Sequence, residues 1–324
     1  MRTIAVEEHI LIEPLRAAMH SVPGYQPPPY TAASSDDLAD VGARRLADMD
    51  AAGIDLQVLS WSVTSGFTLE QLDAARGTAL ARDCNDAMAE VVRAHPDRFA
   101  GFALLAWQDP EAAAAELERA VTTLGMKGVM VNGITNGHFL DHPSFQPILA
   151  AAEALDVPIY LHPALPPPEV YQAYFGGLPA PIAGALSRAG WGWHCETGLH
   201  CLRMVVAGVF DRFPKLQVII GHMGENLPFS LARADERLMP VATHLERRVA
   251  EYLQTNFVLT TSGYFTSPPL ICALLVFGAD RIMFAVDYPY SPNALGRAFL
   301  DSAPISNADR EKIAHGNAER ILKL

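Results

Sequence analysis

The chain has only four cysteines in 324 residues and no CxxC pair among them. Cys84, Cys195, Cys201 and Cys272 lie apart in helix-like segments, so neither a disulfide framework nor a thiolate zinc site is expected. They read as reduced, mostly buried thiols of a cytoplasmic protein. No basic run is present either. A formal charge of −12 and a pI near 5.3 argue against nucleic acid or an anionic membrane surface as the main partner. No stretch approaches eighteen uncharged apolar residues, so a membrane-spanning helix is not expected. The opening "MRTIAVEEHILIEP" puts two acids and a histidine where a signal peptide would need an apolar core. There is no Gly-rich phosphate turn after the first apolar run, no internal repeat and no low-complexity tail.

What is present is alternation. Eight short runs rich in Val, Ile and Leu, at 3–9, 55–60, 99–106, 127–133, 157–163, 216–222, 256–262 and 281–287, are separated by longer amphipathic stretches such as 36–53 and 110–125. The runs are nearly continuous in apolar character, as strands covered on both faces are. The stretches between them carry acids near their starts and glycine at their ends, as helix caps require. Eight strands alternating with helices predict an α/β fold, a (β/α)8 TIM barrel spanning 1–324 as one domain. A doubly wound open sheet is the rival, and it lacks its phosphate turn. Two connections, 10–35 and 164–193, are too long for simple turns. Both follow strand ends and belong to the C-terminal face, as pocket wall or as subunit contact.

Polar residues collect at those same ends. The first strand presents Glu7 and His9, the fifth His162, the sixth His222 and the eighth Asp287. Side chains at i and i+2 share a face of a strand, so Glu7 and His9 point one way and Glu8 the other. A lone histidine at a strand end is most often a hydrogen-bonded core residue. Several polar groups buried together at one rim are different, because leaving them unpaired costs several kcal/mol each and a metal ion removes that cost, on the order of magnitude expected for buried charge. Glu7, His9, His162 and Asp287 therefore form a candidate set for one divalent cation, Mn2+ or Zn2+. His95, His138, His142, His244 and His315 fall in loops or helix ends and read as solvated. Glu196 and His200, at i and i+4, are expected to satisfy each other in a helix. Dinuclear barrel hydrolases carry a bridging modified lysine at the end of strand 4. Here that end is Asn132, with Lys127 at the opposite end, which favours a single metal.

The stretch "VIIGHMGE" (218–225) asks why a buried strand should end on Gly-His. The expected answer is an imidazole beside the metal that need not bind it. Gly221 would remove bulk at the pocket floor, Gly224 would let the following turn pass close to substrate, and Glu225 would hold the far nitrogen of His222.

With these residues placed, the chain resembles the amidohydrolase-superfamily decarboxylases, the group acting on γ-resorcylate, 2,3-dihydroxybenzoate and 5-carboxyvanillate, related to aminocarboxymuconate semialdehyde decarboxylase. The matching stretches are "VEEH" (6–9), "VNG" (131–133), "YLHP" (160–163), "ETGLHCLRM" (196–204), "IIGHMGENLPFSLARAD" (220–235), "TTSG" (260–263), "DRIMFAVDYPY" (280–290) and "NAERILKL" (317–324). The resemblance implies the same four metal ligands, and a homodimer or homotetramer in which Arg233 reaches the neighbouring active site. It implies reversible, non-oxidative decarboxylation of an ortho-hydroxylated aromatic acid, with His222 holding the phenolic oxygen. Asp287, raised in pKa by burial and by Glu7, would deliver the proton. Asn132, Tyr290 and Trp191 are the expected substrate contacts. The chain departs from the group at Tyr288-Pro289-Tyr290, where members often carry Trp-Pro-Phe, at His194, where relatives tend to have a small or apolar residue, and in the 10–35 loop. The alternatives are a mononuclear hydrolase of a lactone or amide in the same superfamily, and a binding protein on a catalytically dead barrel.

Overall fold

A computed structural model describes residues 1–22, 35–62 and 68–324; residues 23–34 of the 10–35 connection, including 25–30, lie outside the described residues. Eight parallel strands follow one another around the fold: β1 (Ile4–Ile10), β2 (Leu56–Trp61), β3 (Phe99–Gly101), β4 (Val129–Asn132), β5 (Ile159–His162), β6 (Val218–Ile220), β7 (Phe257–Thr260) and β8 (Ile282–Met283). β1 to β3 form one continuous ladder and β4 to β8 another. Two joints close the cylinder. Ala103 N donates to Gly128 O at 2.9 Å on one side, and Val6 N to Phe284 O at 3.1 Å and His9 N to Tyr288 O at 2.7 Å on the other. With both seams bonded, the open-sheet alternative is excluded.

The continuous apolar character of the strands follows from closure. Ile4, Val6, Val58, Phe102, Met130, Tyr160, Ile219, Val258 and Met283 fill the lumen. The alternate residues, among them Ala5, Leu59, Val129, Leu161, Ile220 and Leu259, meet the surrounding helices. Both faces of each strand are dry, so both are apolar.

Six predicted runs are longer than their strands, and past two of them side chains take over the backbone groups that the ladder releases. Past β3, Leu104 N donates to Asn85 Oδ1 at 2.8 Å. Asn85 Nδ2 donates to Leu104 O at 3.0 Å and to Glu116 Oε1 at 2.8 Å, all of this buried. Past β8, Val286 N and Tyr288 N each donate to the Glu8 carboxylate at 2.9 Å. The 164–193 connection is mostly helical, with helices at Pro168–Phe175 and Ala180–Ser187. Tyr174, Leu178 and Ile182 on it are exposed. The thiol expectation needs one correction: all four cysteines are free, but Cys195 is exposed. Among the described residues, no helix is long and apolar enough to cross a membrane.

Replacing Asn85 with Ala strands two buried backbone groups, Leu104 N and Leu104 O, while Glu116 Oε1 keeps its bond from Arg119. Asn85→Ala is expected to destabilise the fold by about 1–3 kcal/mol per unsatisfied group, and urea denaturation measures it. A loss below half a kcal/mol, of the size of a neutral surface change, would mean that the strand β3 extension is held by something else.

Candidate metal centre and active site

The site begins with an irregularity in β1. Ala5 pairs with Gln57 but Glu8 pairs with Leu59, so β1 carries one extra residue, a β-bulge. Simple alternation from Ile4 and Val6, which face the lumen, would send Glu7 outward. The bulge re-aims Glu7 and His9 toward the barrel mouth and sends Glu8 out to the β8 backbone. Nothing in the sequence marks this bulge, although the shared face of Glu7 and His9 is as expected.

Glu7 lies on the last layer of lumen side chains. Its Oε2 accepts from the Tyr160 hydroxyl and from Thr260 Oγ1 at 3.2 Å, and Thr260 Oγ1 is in turn 3.0 Å from Ser262 Oγ. Its Oε1 is buried with no hydrogen-bond partner. His9 Nδ1 meets Ser60 Oγ at 3.0 Å, and His162 Nδ1 donates to Pro163 O at 2.7 Å. Each of these contacts engages Nδ1 and leaves Nε2 to face the pocket. His9 Nε2 is 3.1 Å from Asp287 Oδ1, yet makes no well-directed hydrogen bond, and His162 Nε2 is 3.4 Å from Glu7 Oε1. One donor atom from each of Glu7, His9, His162 and Asp287 lies within 4.8 Å of the others. Two nitrogens and two carboxylates converge, with orphaned buried atoms among them, and this donor set fits a divalent cation.

Beside this set stands His222. It does not end a strand: residues 222–226 all have positive φ, from 50° at His222 to 88° at Gly224, which is a left-handed turn. Four of the five carry side chains, and such a conformation costs about 1–2 kcal/mol per residue. The turn is held by Met223 N donating to Thr260 O at 2.8 Å and by His222 N donating to Ser262 Oγ at 2.9 Å. Its effect is to swing His222 Nε2 to 3.8 Å from Glu7 Oε1 and 3.9 Å from Asp287 Oδ2. Glu225 Oε1 accepts from His222 Nδ1 at 2.7 Å, as expected. Gly221 also fits its expected role, since a Cβ there would come within 2.7 Å of Glu7 Oε2. Gly224 does not: a Cβ there would strike Leu259, against which the turn packs.

The electrostatics correct one expectation. Burial pushes the Glu7 carboxyl up, and only in part do His222 and His9 pull it back. Burial also favours a neutral Asp287, but the neighbouring imidazoles of His222 and His9 outweigh it and hold that carboxyl low. In the free site it is thus Glu7 whose pKa burial raises, whereas the rise expected for Asp287 is not found there; the proton expected on Asp287 belongs to the substrate complex. Burial works against a charged His222 as well, yet Glu225, Glu7 and Asp287 surround it and raise its pKa well above the ordinary value. Burial lowers His162 to about 3, so it presents a neutral ring.

The expected substrate contacts divide. Asn132 ends β4 beside His162, with a buried Oδ1 that has no partner. Tyr290 packs its ring 5.4 Å from that of His9, with its hydroxyl 2.6 Å from Ser62 Oγ. Trp191 is more than half exposed; its neighbour Trp193 lies edge-on to His162 at 6.4 Å. Arg233 is exposed on the helix Leu227–Leu238, where it pairs with Glu236 at 3.0 Å, away from its own chain's metal cluster. The expected Glu196–His200 bond is replaced: His200 Nε2 accepts from Leu140 N at 2.8 Å, and burial leaves Glu196 pushed up to about 7 with an unpartnered oxygen. Residues that sequence reasoning missed are Tyr160, Thr260 and Ser60, which orient Glu7 and His9; His194, marked in the sequence only as a departure from the group, has its Nδ1 2.6 Å from Glu225 Oε2.

Comparison with known proteins gives the same picture. The family model described as "Amidohydrolase" matches residues 19–324. The chain belongs to the amidohydrolase family. It is 39% identical over 331 residues to γ-resorcylate decarboxylase of Polaromonas sp. strain JS666, covering 99% of this chain and 98% of that one. A crystal structure of dihydroxybenzoic acid decarboxylase from Polaromonas sp. JS666, with manganese and the inhibitor 2-nitroresorcinol, superposes with a TM-score of 0.88 at 37% identity, over 100% of this chain and 97% of that one. The 5-carboxyvanillate decarboxylase of Novosphingobium aromaticivorans, complexed with manganese and 4-hydroxy-3-methoxy-5-nitrobenzoic acid, gives 0.89 at 33%, over 100% and 96%.

Gly221→Ala tests the floor of this site. With Glu7 pinned by Tyr160 and Thr260, the added methyl is expected to displace its carboxylate and weaken metal binding about tenfold or more, as loss of a ligand's support does. Metal titration monitored by calorimetry reads this directly. Unchanged affinity would show that Glu7 is free to move.

Proposed function

We propose that this protein is a metal-dependent carboxy-lyase that removes CO2, reversibly and without oxidation, from an ortho-hydroxylated aromatic acid of the hydroxybenzoate class. The observation that carries the reading is the convergence of Glu7, His9, His162 and Asp287 on one point, beside an imidazole that Glu225 orients, in a chain similar end to end to hydroxybenzoate decarboxylases. Bound there, the divalent ion supplies Lewis-acid stabilisation of the carboxylate and phenolate oxygens.

The chain's own groups do the rest. Glu225 keeps the Nδ1 proton of His222, so Nε2 faces the pocket and holds the phenolic oxygen as the ring loses aromaticity. Asp287 is a carboxylate in the free protein, so it must take up its proton in the complex. The ortho-hydroxyl of the substrate, which gives up its proton on binding as a phenolate, would be the source, and His222 keeps its Nε2 proton for the phenolic oxygen. Asp287 then protonates the ring carbon that bears the carboxylate; the bond to that carboxylate breaks, its electron pair returns to the ring and CO2 leaves. Asn132, Trp193 and Tyr290 line the approach to the ring. Arg233 serves a neighbouring subunit in a homodimer or homotetramer, a role supported by its exposure one helical turn from Phe229, itself almost fully exposed. Four free cysteines fit a reducing compartment, the cytoplasm.

The deciding experiment measures CO2 release from a panel of hydroxybenzoates with Mn2+ and with Zn2+, and carboxylation in concentrated bicarbonate. Products carrying solvent oxygen, with no CO2, would establish a hydrolase. Within the site, His162→Ala is expected to lose metal, whereas His222→Ala keeps metal and loses about 10²–10⁴-fold in turnover. Equal metal loss in both would make His222 a ligand. Arg233→Ala and His222→Ala, each inactive alone, are expected to regain activity when mixed, because a hybrid assembly contains one intact site. Failure to complement would place Arg233 outside the active site.

A further inference from the structure

The residue that this chemistry leaves unused is His194, on the helix Gly192–Val206 and buried. Its Nδ1 lies 2.6 Å from Glu225 Oε2, and its Nε2 lies 3.0 Å from the carbonyl oxygen of Ala189. Both partners only accept, so the ring makes both bonds only by donating from each nitrogen. Among the described residues, the two oxygens of Glu225 take hydrogen bonds from His222 and His194. The carboxylate is fully buried, and without His194 its Oε2 would have no donor. Tyr264 closes the cluster, its ring 5.4 Å from His194 and 6.3 Å from His222, and leaves the imidazoles little room to turn.

We propose that His194 is a positioning residue. By donating to Glu225 Oε2 and to Ala189 O at once, it fixes the carboxylate whose other oxygen orients His222, and it ties the turn before Trp193 to the same carboxylate. One rotamer of Glu225 then determines both the direction of His222 Nε2 and the placement of the pocket wall at 188–193. This rests on the decarboxylase reading for its catalytic consequence, but its structural content is independent of the reaction.

Three variants separate the two bonds. In His194→Asn the amide nitrogen sits about where Nδ1 was and can still reach Glu225. In His194→Gln it sits about where Nε2 was and can reach only Ala189. His194→Ala reaches neither. The metal-loaded proteins are compared by the imidazole N–H resonances of His222, by metal content and by steady-state kinetics. The wild type is expected to show two strongly low-field imidazole protons, from the two Nδ1–H bonds to Glu225. His194→Gln and His194→Ala should lose one and shift the His222 signal, with full metal content. Their kcat should fall about 10–100-fold with KM moved less than about threefold. His194→Asn should keep the His222 resonance and most of kcat. The proposal is overturned if the His222 resonance is unmoved in Gln and Ala, if Asn is as impaired as Gln, or if metal is lost. Should the wild type release no CO2, the decarboxylase reading falls, and the resonances alone decide the role of His194.

Discussion

A carboxylate with no exposure to water governs this structure. Glu7 stands where the packed lumen ends and the pocket begins, with one oxygen tied to Tyr160 and Thr260 and the other free. Burial alone would keep it protonated. A cation beside the free oxygen turns that penalty into attraction, and the neighbouring Nε2 atoms of His9 and His162 complete the demand for one. The lumen side chains beneath are thus more than filler. Tyr160 is both the largest residue in that layer and the group that aims the first ligand.

The adjacent acids of "VEEH" have opposite duties, separated by the bulge. Glu7 faces inward and meets the metal position. Glu8 faces outward and takes Val286 N and Tyr288 N, the two amides that flank Asp287. Asp287 N donates to Glu7 O at 2.9 Å. The first and last strands therefore close the barrel through the same few residues that build its site. Asp287 itself has a φ of 72°, a strained conformation that this clamp enforces. Closure of the fold and convergence of the ligands are one event.

How much of this the sequence discloses depends on range. Strand order, barrel class and the convergence of Glu7, His9, His162 and Asp287 are legible because these residues sit toward the C-terminal ends of three apolar runs, a local signal repeated at known topology. The partners that fix those ligands are not. Tyr160 reads as one more apolar-run residue, and its contact with Glu7 spans 153 positions. The β1 bulge leaves no mark in composition. The left-handed turn at 222–226 contains a single glycine, so the usual signal of positive φ is nearly absent, and the histidine seemed to end a strand. The charge of Asp287 in the free protein is illegible for a related reason: burial can be inferred, but the neighbouring imidazoles of His9 and His222 that outweigh it cannot.

Chemistry and substrate choice are carried by different parts of the molecule. The metal position is framed by strand ends whose backbone is fixed by closure, and the imidazole beside it by a turn bonded to β7. The residues proposed to contact the ring come from elsewhere: Asn132 from β4, Tyr290 from beyond β8, and Trp193 from the end of the helical 164–193 connection. Such loops change length and composition with little effect on a closed barrel. The relatives, which act on differently substituted rings at comparable identity to this chain, are what that division would produce. The rigid frame fixes where the donors Glu7, His9, His162 and Asp287 meet, and the residues from the connections are the ones free to vary around it.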